Sequence, residues 1–365
     1  MSNSSTVNQT SSKIDTSIAP LVTETSLEQR YREFTNLCHE IEQVKHDLRT
    51  KHQELADLKQ CFPERAKIRS QVNRQARKLN NLKLSLPNFL IIGTQKGGTT
   101  WLHENLKQHP KIFLPSGKKE LEFFSYYDKK IADYGLADYL KHFNQFEDLI
   151  SLDKPKAIGE ATPSYFWSID PNRQWSNPTN EHFNHQIPQS VYNILGAKTK
   201  LILCLRNPVH RAISAYFHHI KRDRIDYKTQ SILDVGHLHG IIDMGFYAQH
   251  LNSWLTKFDL SNFKVLIYEK DIRQNKQKTI EDICQFLKVD YQLFPTTTNL
   301  NKYHNKGLKY CLNEEGAFLI FPDRDETELV VTPEEIIKLK QIYVEDSHIL
   351  QSILKIDLSE HWQLA

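Results

Sequence analysis

Between Phe89 and Leu106 the chain sets a lysine inside a glycine-rich turn and follows it with two hydroxyls: Gly93-Thr-Gln-Lys96-Gly97-Gly98-Thr99-Thr100-Trp101. Phe89 to Ile92 is a short apolar, branched run, the pattern of a buried parallel strand. From Thr99 onward, Trp101 or Leu102 falls on one face with Leu106 at helical spacing. A strand, a glycine turn and a helix start make an anion cradle. Glycine admits close approach of the backbone, the first amides of the helix point at the ligand, and the helix dipole favours negative charge. Lys96 adds a full charge, and Thr99 and Thr100 add hydroxyl donors. The competing reading, a turn whose glycines serve packing alone, leaves the lysine and both threonines unexplained. A nucleoside-triphosphatase loop carries its lysine after the last glycine, next to a hydroxyl for magnesium. Here the lysine comes before the glycine pair.

A second anion site is indicated by Leu205-Arg206-Asn207-Pro208 and Ser214. Arg206 closes the apolar run Thr199–Leu205, and Ser214 lies about two turns into the helix that Pro208 opens. In an open α/β sheet, ligands gather beyond the carboxyl ends of the strands. There a guanidinium can fork onto a phosphate, with the serine hydroxyl as a second donor. The alternative is an arginine paired with a local carboxylate such as Asp223. Two further stretches offer acid–base groups. Lys118-Lys119-Glu120-Leu121-Glu122 holds two carboxylates that strand alternation would point to one side, and His218 follows Ser214 by one helical turn.

The succession G-x-x-K-G-G-T-T, K-E-x-x-F-F and R-N-P-x-x-R-x-x-S-x-Y resembles the sulfotransferases that use 3′-phosphoadenosine 5′-phosphosulfate, nearest the heparan-type N- and O-sulfotransferases. The likeness continues through Gly245–Leu255, Lys264–Tyr268 and Lys306-Gly307-Leu308-Lys309-Tyr310, and so spans about Pro87 to Tyr310. The resemblance implies that Lys96 and the backbone of Gly97, Gly98, Thr99 and Thr100, with Trp101 beside them, hold the 5′-phosphosulfate. Arg206 and Ser214 would take the 3′-phosphate, and Lys306, Gly307, Leu308 and Lys309 would close over the nucleotide. Glu120 matches the family's catalytic base and His218 a histidine near the acceptor; Lys96 and Lys306 would neutralise the leaving phosphate. No metal is called for.

The chain departs from that pattern at three points. Ala161 stands where many relatives carry lysine, Leu308 where arginine is common, and Cys311 lacks the partner of the extracellular hairpin. The expected acceptor is a hydroxyl or amine, best a carbohydrate such as a polysaccharide or glycolipid. Tyr165, Phe166 and Trp167 and the polar loop to Pro188 are the expected lining of its cleft. The other classes to weigh are a nucleotide-dependent kinase, which needs a lysine after the glycines and an acidic magnesium ligand, and a non-catalytic coiled-coil scaffold with a degenerate nucleotide site.

These residues need elements to position them. Strand runs alternate with helical ones, and together with the resemblance this implies an α/β fold: a P-loop NTPase-like three-layer sandwich with a central parallel sheet, preceded by an N-terminal helical coiled coil. Residues 1–25 are polar and expected to be disordered. Over 26–85, Leu27, Phe34, Ile41, Leu48 and Leu55 recur every seven residues, with Leu37, Val44 and Leu58 three after their partners. This is an a/d seam through which residues 27–58 would pair in a homo-oligomer, or fold back on the basic stretch Arg65–Lys83 as a hairpin. Residues 86–365 form the expected sulfotransferase domain.

With 47 basic and 44 acidic side chains the net charge is only +3, which argues neither for nor against nucleic acid and means that an anion site must be local; no nucleic-acid partner is expected. The five cysteines are scattered without C-x-x-C spacing, which points to neither a disulfide framework nor zinc. With no run of membrane-spanning length, a cytoplasmic enzyme is expected.

Overall fold

The computed structural model describes residues 43, 44, 47, 50, 51, 86–143, 155–170, 172–176, 182–295, 298–302, 310–320 and 328–364. The chain divides into two units, residues 1–80 and 81–365. In the first, the described residues are helical and exposed, Val44 of the heptad seam among them. The rest of the seam, and with it the expected coiled coil, lies outside the described residues.

Branched and aromatic residues over runs too short for a helix give the strands β1 (Phe89–Gly93), β2 (Ile112–Phe113), β3 (Ala157–Ala161), β4 (Lys200–Leu205) and β5 (Phe263–Ile267). They pair in the order β2-β3-β1-β4-β5, every pair parallel. β1 and β3 are buried at all five positions, as strands covered on both faces must be. Alternation along β1 and β4 sorts their side chains into two cores. Leu90, Ile92, Leu201, Leu203 and Leu205 enter one, and Phe89, Ile91, Ile202 and Cys204 enter the other.

The second of these cores is closed by helix α1 (Thr99–Leu106), while α2 (Tyr127–Asp133) and α3 (Leu136–Leu140) follow β2 in the chain. The first core is covered by α4 (Ile187–Leu195), α5 (Pro208–Ile220) and α6 (Tyr247–Leu255), and α7 (Lys276–Leu287) completes the opposite layer. The sheet thus lies between two helical layers, as the alternating pattern implies. Among the described residues, no helix is long and apolar enough to cross a membrane.

The C-terminal part adds elements that the sequence patterning does not mark. β6 (Tyr310–Leu312), β7 (Phe318–Ile320) and β8 (Glu328–Val331) form an antiparallel sheet, followed by α8 (Pro333–Leu354). α8 starts with a capping box: the Thr332 hydroxyl accepts from the Glu335 amide at 3.2 Å, and the Glu335 carboxylate accepts from the Thr332 amide at 2.8 Å. It also caps its neighbour. Asp346 accepts from the first-turn amides of Ala248 and Gln249 in α6, at 2.9 and 3.2 Å.

This topology brings the functional segments together. β1 lies between β3 and β4, so the chain leaves β1 in one direction and returns on its other side, which opens a crevice at the strand ends. The glycine-rich turn, Glu160–Thr162, Arg206 and Tyr268 all leave the sheet at that edge.

Candidate active site

The Gly93–Gly98 turn is fastened to the end of β4. The amide and the hydroxyl of Thr94 both donate to the Cys204 carbonyl at 2.9 Å, and the Gly97 amide donates back to the Thr94 carbonyl at 3.0 Å. Two glycines are obligatory here. A Cβ on Gly97 would lie 2.4 Å from the Cys204 carbonyl oxygen, and one on Gly98 2.7 Å from Ile272 Cδ1, with Gly98 at φ 102°. Lys96 also takes a left-handed conformation, φ 68°. Gly98 caps α1 without a side-chain bond, and the amides of Thr99, Thr100 and Trp101 begin the helix with no preceding turn to donate to. Those free amides beside the lysine are what a phosphate would bond.

Arg206 meets this turn directly. Its Nη1 donates to the Lys96 carbonyl at 3.4 Å, its Cζ lies 4.9 Å from the centroid of the Tyr268 ring, and its Nε is buried without a partner among the described residues. The arginine is thus aimed at the crevice, and Asp223 is not what holds it there. Arg211, fully buried, donates through Nη2 to the carbonyls of Gly240 and Ile241. Burial, then repulsion from Arg206, Arg211 and Arg222, lowers the Lys96 ammonium to about 8, against an opposing pull from Glu120. An unneutralised cationic pocket of this kind gains from an anion. Ser214 is half-buried on α5.

Facing the turn, Lys119 Nζ bridges α1 and the Lys118–Phe124 segment. It donates to Thr100 Oγ1 at 2.9 Å and to Glu120 Oε1 at 3.3 Å. Glu120 is 46% exposed, open to an incoming group, and its charge acts on Lys96. His218 is half-buried and held neutral, lowered to about 4 by burial and then by Lys96 and Arg222. His219 beside it is buried and stacked on His239, 4.5 Å between centroids.

The sulfotransferase domain family model matches residues 86–315, more than half of the chain. The chain belongs to the sulfotransferase domain family. This sulfotransferase is 40% identical over 138 residues to the membrane-associated sulfotransferase kil1 of Dictyostelium discoideum, covering 38% of this chain and 24% of that one. It is 30% identical over 187 residues to heparan sulfate glucosamine 3-O-sulfotransferase 6 of Mus musculus, covering 48% of this chain and 45% of that one. The matched region therefore spans less than half the length of either curated relative. Among solved structures, a sulfotransferase from Alicyclobacillus acidocaldarius shares the fold, with a TM-score of 0.52 at 23% identity, over 76% of this chain and 98% of that one.

The sulfotransferase brings Lys96, Gly97–Trp101, Glu120, Arg206 and His218 to one edge; Lys306, Gly307, Leu308 and Lys309 lie outside the described residues. Two expectations are corrected. Residues 118–123 form no strand, and Glu122 adopts φ 55°, so the two carboxylates do not share a side by alternation. Glu122 pairs with Lys118 at 3.6 Å, and Glu120 with Lys119. Tyr165, Phe166 and Trp167 do not line a cleft either. They are 0, 2 and 6% exposed, because the polar ends of Tyr165 and Trp167 find buried carboxylates, Glu160 at 2.8 Å and Asp243 at 2.5 Å.

Glu160 is a group that residue patterning misses. Fully buried at the end of β3, it accepts from the hydroxyls of Tyr139 at 2.8 Å, Tyr165 at 2.8 Å and Thr162 at 2.7 Å. Burial raises its carboxyl, and these bonds oppose the rise. Thr162 in turn accepts from the Glu122 amide at 3.3 Å, which ties the Glu120 loop to the sheet. The available signal is an acid inside an otherwise apolar strand, followed two residues later by threonine.

Proposed function

We propose that the chain transfers a sulfuryl group from 3′-phosphoadenosine 5′-phosphosulfate to a hydroxyl or amine of a carbohydrate. The observation that carries this reading is the apposition of Arg206 and Lys96, 3.4 Å from guanidinium to main-chain carbonyl, which sets two phosphate-binding cations at one strand edge. The fit to the donor is chemical: a glycine cradle that side chains would fill for the 5′ group, and a guanidinium with an unpartnered Nε for the 3′-phosphate.

The step is an in-line displacement. The acceptor oxygen or nitrogen attacks sulfur and its proton passes to a Glu120 carboxylate oxygen. The bond from sulfur to the bridging phosphate oxygen breaks, and that oxygen leaves with the electron pair toward Lys96. Positioning and charge stabilisation carry most of such a reaction, as in phosphoryl transfer. His218, uncharged, takes the role of a hydrogen-bonding group near the acceptor.

A carbohydrate acceptor is supported by the relatives, among them carbohydrate sulfotransferase 15 of Mus musculus, 26% identical over 248 residues that cover 55% of this chain and 44% of that one. It is also supported by an open groove of about 880 Å³ lined by Tyr127, Lys129, His182, Asn184, Gln186 and Gln189. Polar side chains with an aromatic edge suit a sugar chain. The groove adjoins the Glu120 loop, since Asn184 donates to the carbonyls of Phe124 and Ser125 at 3.0 and 2.7 Å.

The test is calorimetry with adenosine 3′,5′-bisphosphate and ADP. Wild type is expected to prefer the bisphosphate, and Arg206→Ala to weaken it roughly tenfold or more while leaving ADP unchanged. Equal wild-type affinity for the two nucleotides overturns the reading.

A further inference from the structure

One peptide group in the donor site is held at both ends. The Arg206 carbonyl accepts from the Tyr247 hydroxyl at 2.8 Å. The N–H of the same peptide unit, on Asn207, donates to Glu269 Oε1 at 3.0 Å. Both holders meet on a residue from the far end of the chain. Trp362 Nε1 donates to the other oxygen of Glu269, Oε2, at 3.1 Å, and the Trp362 ring lies 5.7 Å from the Tyr247 ring. Trp362 is 3% exposed and Tyr247 is fully buried. Trp362 is itself anchored, its amide donating to the Leu358 carbonyl at 2.7 Å. It lies beyond residue 315, outside the family-matched region.

We propose that Trp362 is a positioning residue for the arginine that takes the donor's 3′-phosphate, an inference that rests on that reading of Arg206. Arg206 and Asn207 sit at the exit of β4, before Pro208, where no strand ladder fixes the chain. The orientation of their shared peptide sets where the guanidinium points. Asn207 adds a constraint downstream, its side chain accepting from the amides of Val209 at 3.0 Å and His210 at 3.2 Å to cap α5. What remains free is the Glu269 carboxylate, half-buried at the end of β5. Trp362 removes that freedom by occupying Oε2, so that Oε1 stays on the Asn207 amide. Without that donor Oε1 can leave the Asn207 amide, and the peptide that carries Arg206, beside the Tyr268 ring under its guanidinium, loses one of its two holders. The tail thus fixes the peptide from which the guanidinium extends.

The experiment is calorimetry on the full chain with adenosine 3′,5′-bisphosphate and adenosine 5′-monophosphate, which differ only in the 3′-phosphate. Trp362→Phe keeps a ring and removes the donor. It is expected to lower bisphosphate affinity roughly threefold to tenfold and to leave monophosphate affinity within about twofold. Glu269→Gln, which leaves the packed tail in place, is expected to give the same selective loss and decides the matter if Trp362→Phe folds poorly. The double variant should lose no more than either single one, because both break one connection. An unchanged ratio of the two affinities, a fall of both ligands together, or additive losses would overturn the proposal. Arg206→Ala in the same assay separates the two levels: if it leaves the preference for the bisphosphate intact, the assignment of Arg206 fails rather than that of Trp362.

Discussion

The glycine-rich turn after β1 is fastened by main-chain bonds, whereas the Lys118–Phe124 segment across from it is fastened by side chains. In the turn, the Cys204 carbonyl and the Thr94 and Gly97 amides fix the geometry, and any added Cβ meets backbone or core. In the facing segment, the Lys130 ammonium holds the Leu121 carbonyl at 2.8 Å, Thr162 holds the Glu122 amide, and Lys119 spans to Thr100. The donor side is therefore preorganised, with little to reorient when charge develops. The facing segment keeps the Glu120 carboxylate half in water, paired with Lys119. On the proposed function, such an arrangement holds one donor constant while exposed side chains adapt to different acceptors.

Substitutions on both sides of the crevice and a titration of Lys96 test that contrast. The largest effect is expected at Glu120. Glu120→Gln should keep wild-type affinity for adenosine 3′,5′-bisphosphate and lose transfer by roughly a hundredfold to ten-thousandfold, measured as single-turnover rate. Glu122→Gln, paired with Lys118 away from Lys119, should stay near the wild-type rate; the reverse ranking would move the base to Glu122. Next comes Gly97→Ala, whose methyl must displace the turn from Cys204. Nucleotide affinity is expected to fall roughly tenfold or more, with a lowered melting temperature. Unchanged affinity would show that the turn is less rigid than its bonds imply.

The smallest effect is a pH dependence. The unliganded Lys96 ammonium lies at about 8, below its ordinary value of 10.5, and a bound phosphate pulls it back up. Bisphosphate affinity should therefore be flat below about pH 7 and fall roughly tenfold or more between pH 7.5 and 9.5. Stability of the unliganded protein moves oppositely. The unfolded chain holds this proton more tightly, so the contribution of Lys96 to stability rises as pH climbs from about 8 toward 10.5. Lys96→Arg should flatten both profiles; a titration that persists in that variant belongs to another group.

The donor half is the part most legible in the sequence, because its signals are local. A branched run, a glycine pair with lysine before it, and an arginine closing the strand beside it in the sheet are each patterns of a few residues, and the fold keeps them adjacent. The acceptor half depends on choices that short patterns leave open. Glu120 and Glu122 alternate on paper, but one left-handed residue at 122 separates them. Tyr165 and Trp167 have the amphipathic character of a sugar platform and equally that of a core with buried acids, and Glu160 and Asp243 decide it. The contact of Trp362 with Glu269 joins residues 93 apart and has no periodicity to announce it. The antiparallel C-terminal sheet is hidden for a related reason: its strands are three or four residues long, too short for alternation to stand out.

Cys204 is the place where the turn is tied to the sheet, yet it makes that tie with its carbonyl oxygen. Its thiol faces the apolar layer with Ile202 and Leu266, and burial pushes it away from ionisation. Alkylating reagents should therefore find this thiol inert while the donor site is intact. A saturation scan at position 204 should rank residues by volume and polarity, with alanine and valine tolerated and large or charged side chains rejected. The attachment uses no side chain of residue 204, so it is silent in such a scan; Thr94→Val, which removes the hydroxyl bond to the Cys204 carbonyl, can reveal it.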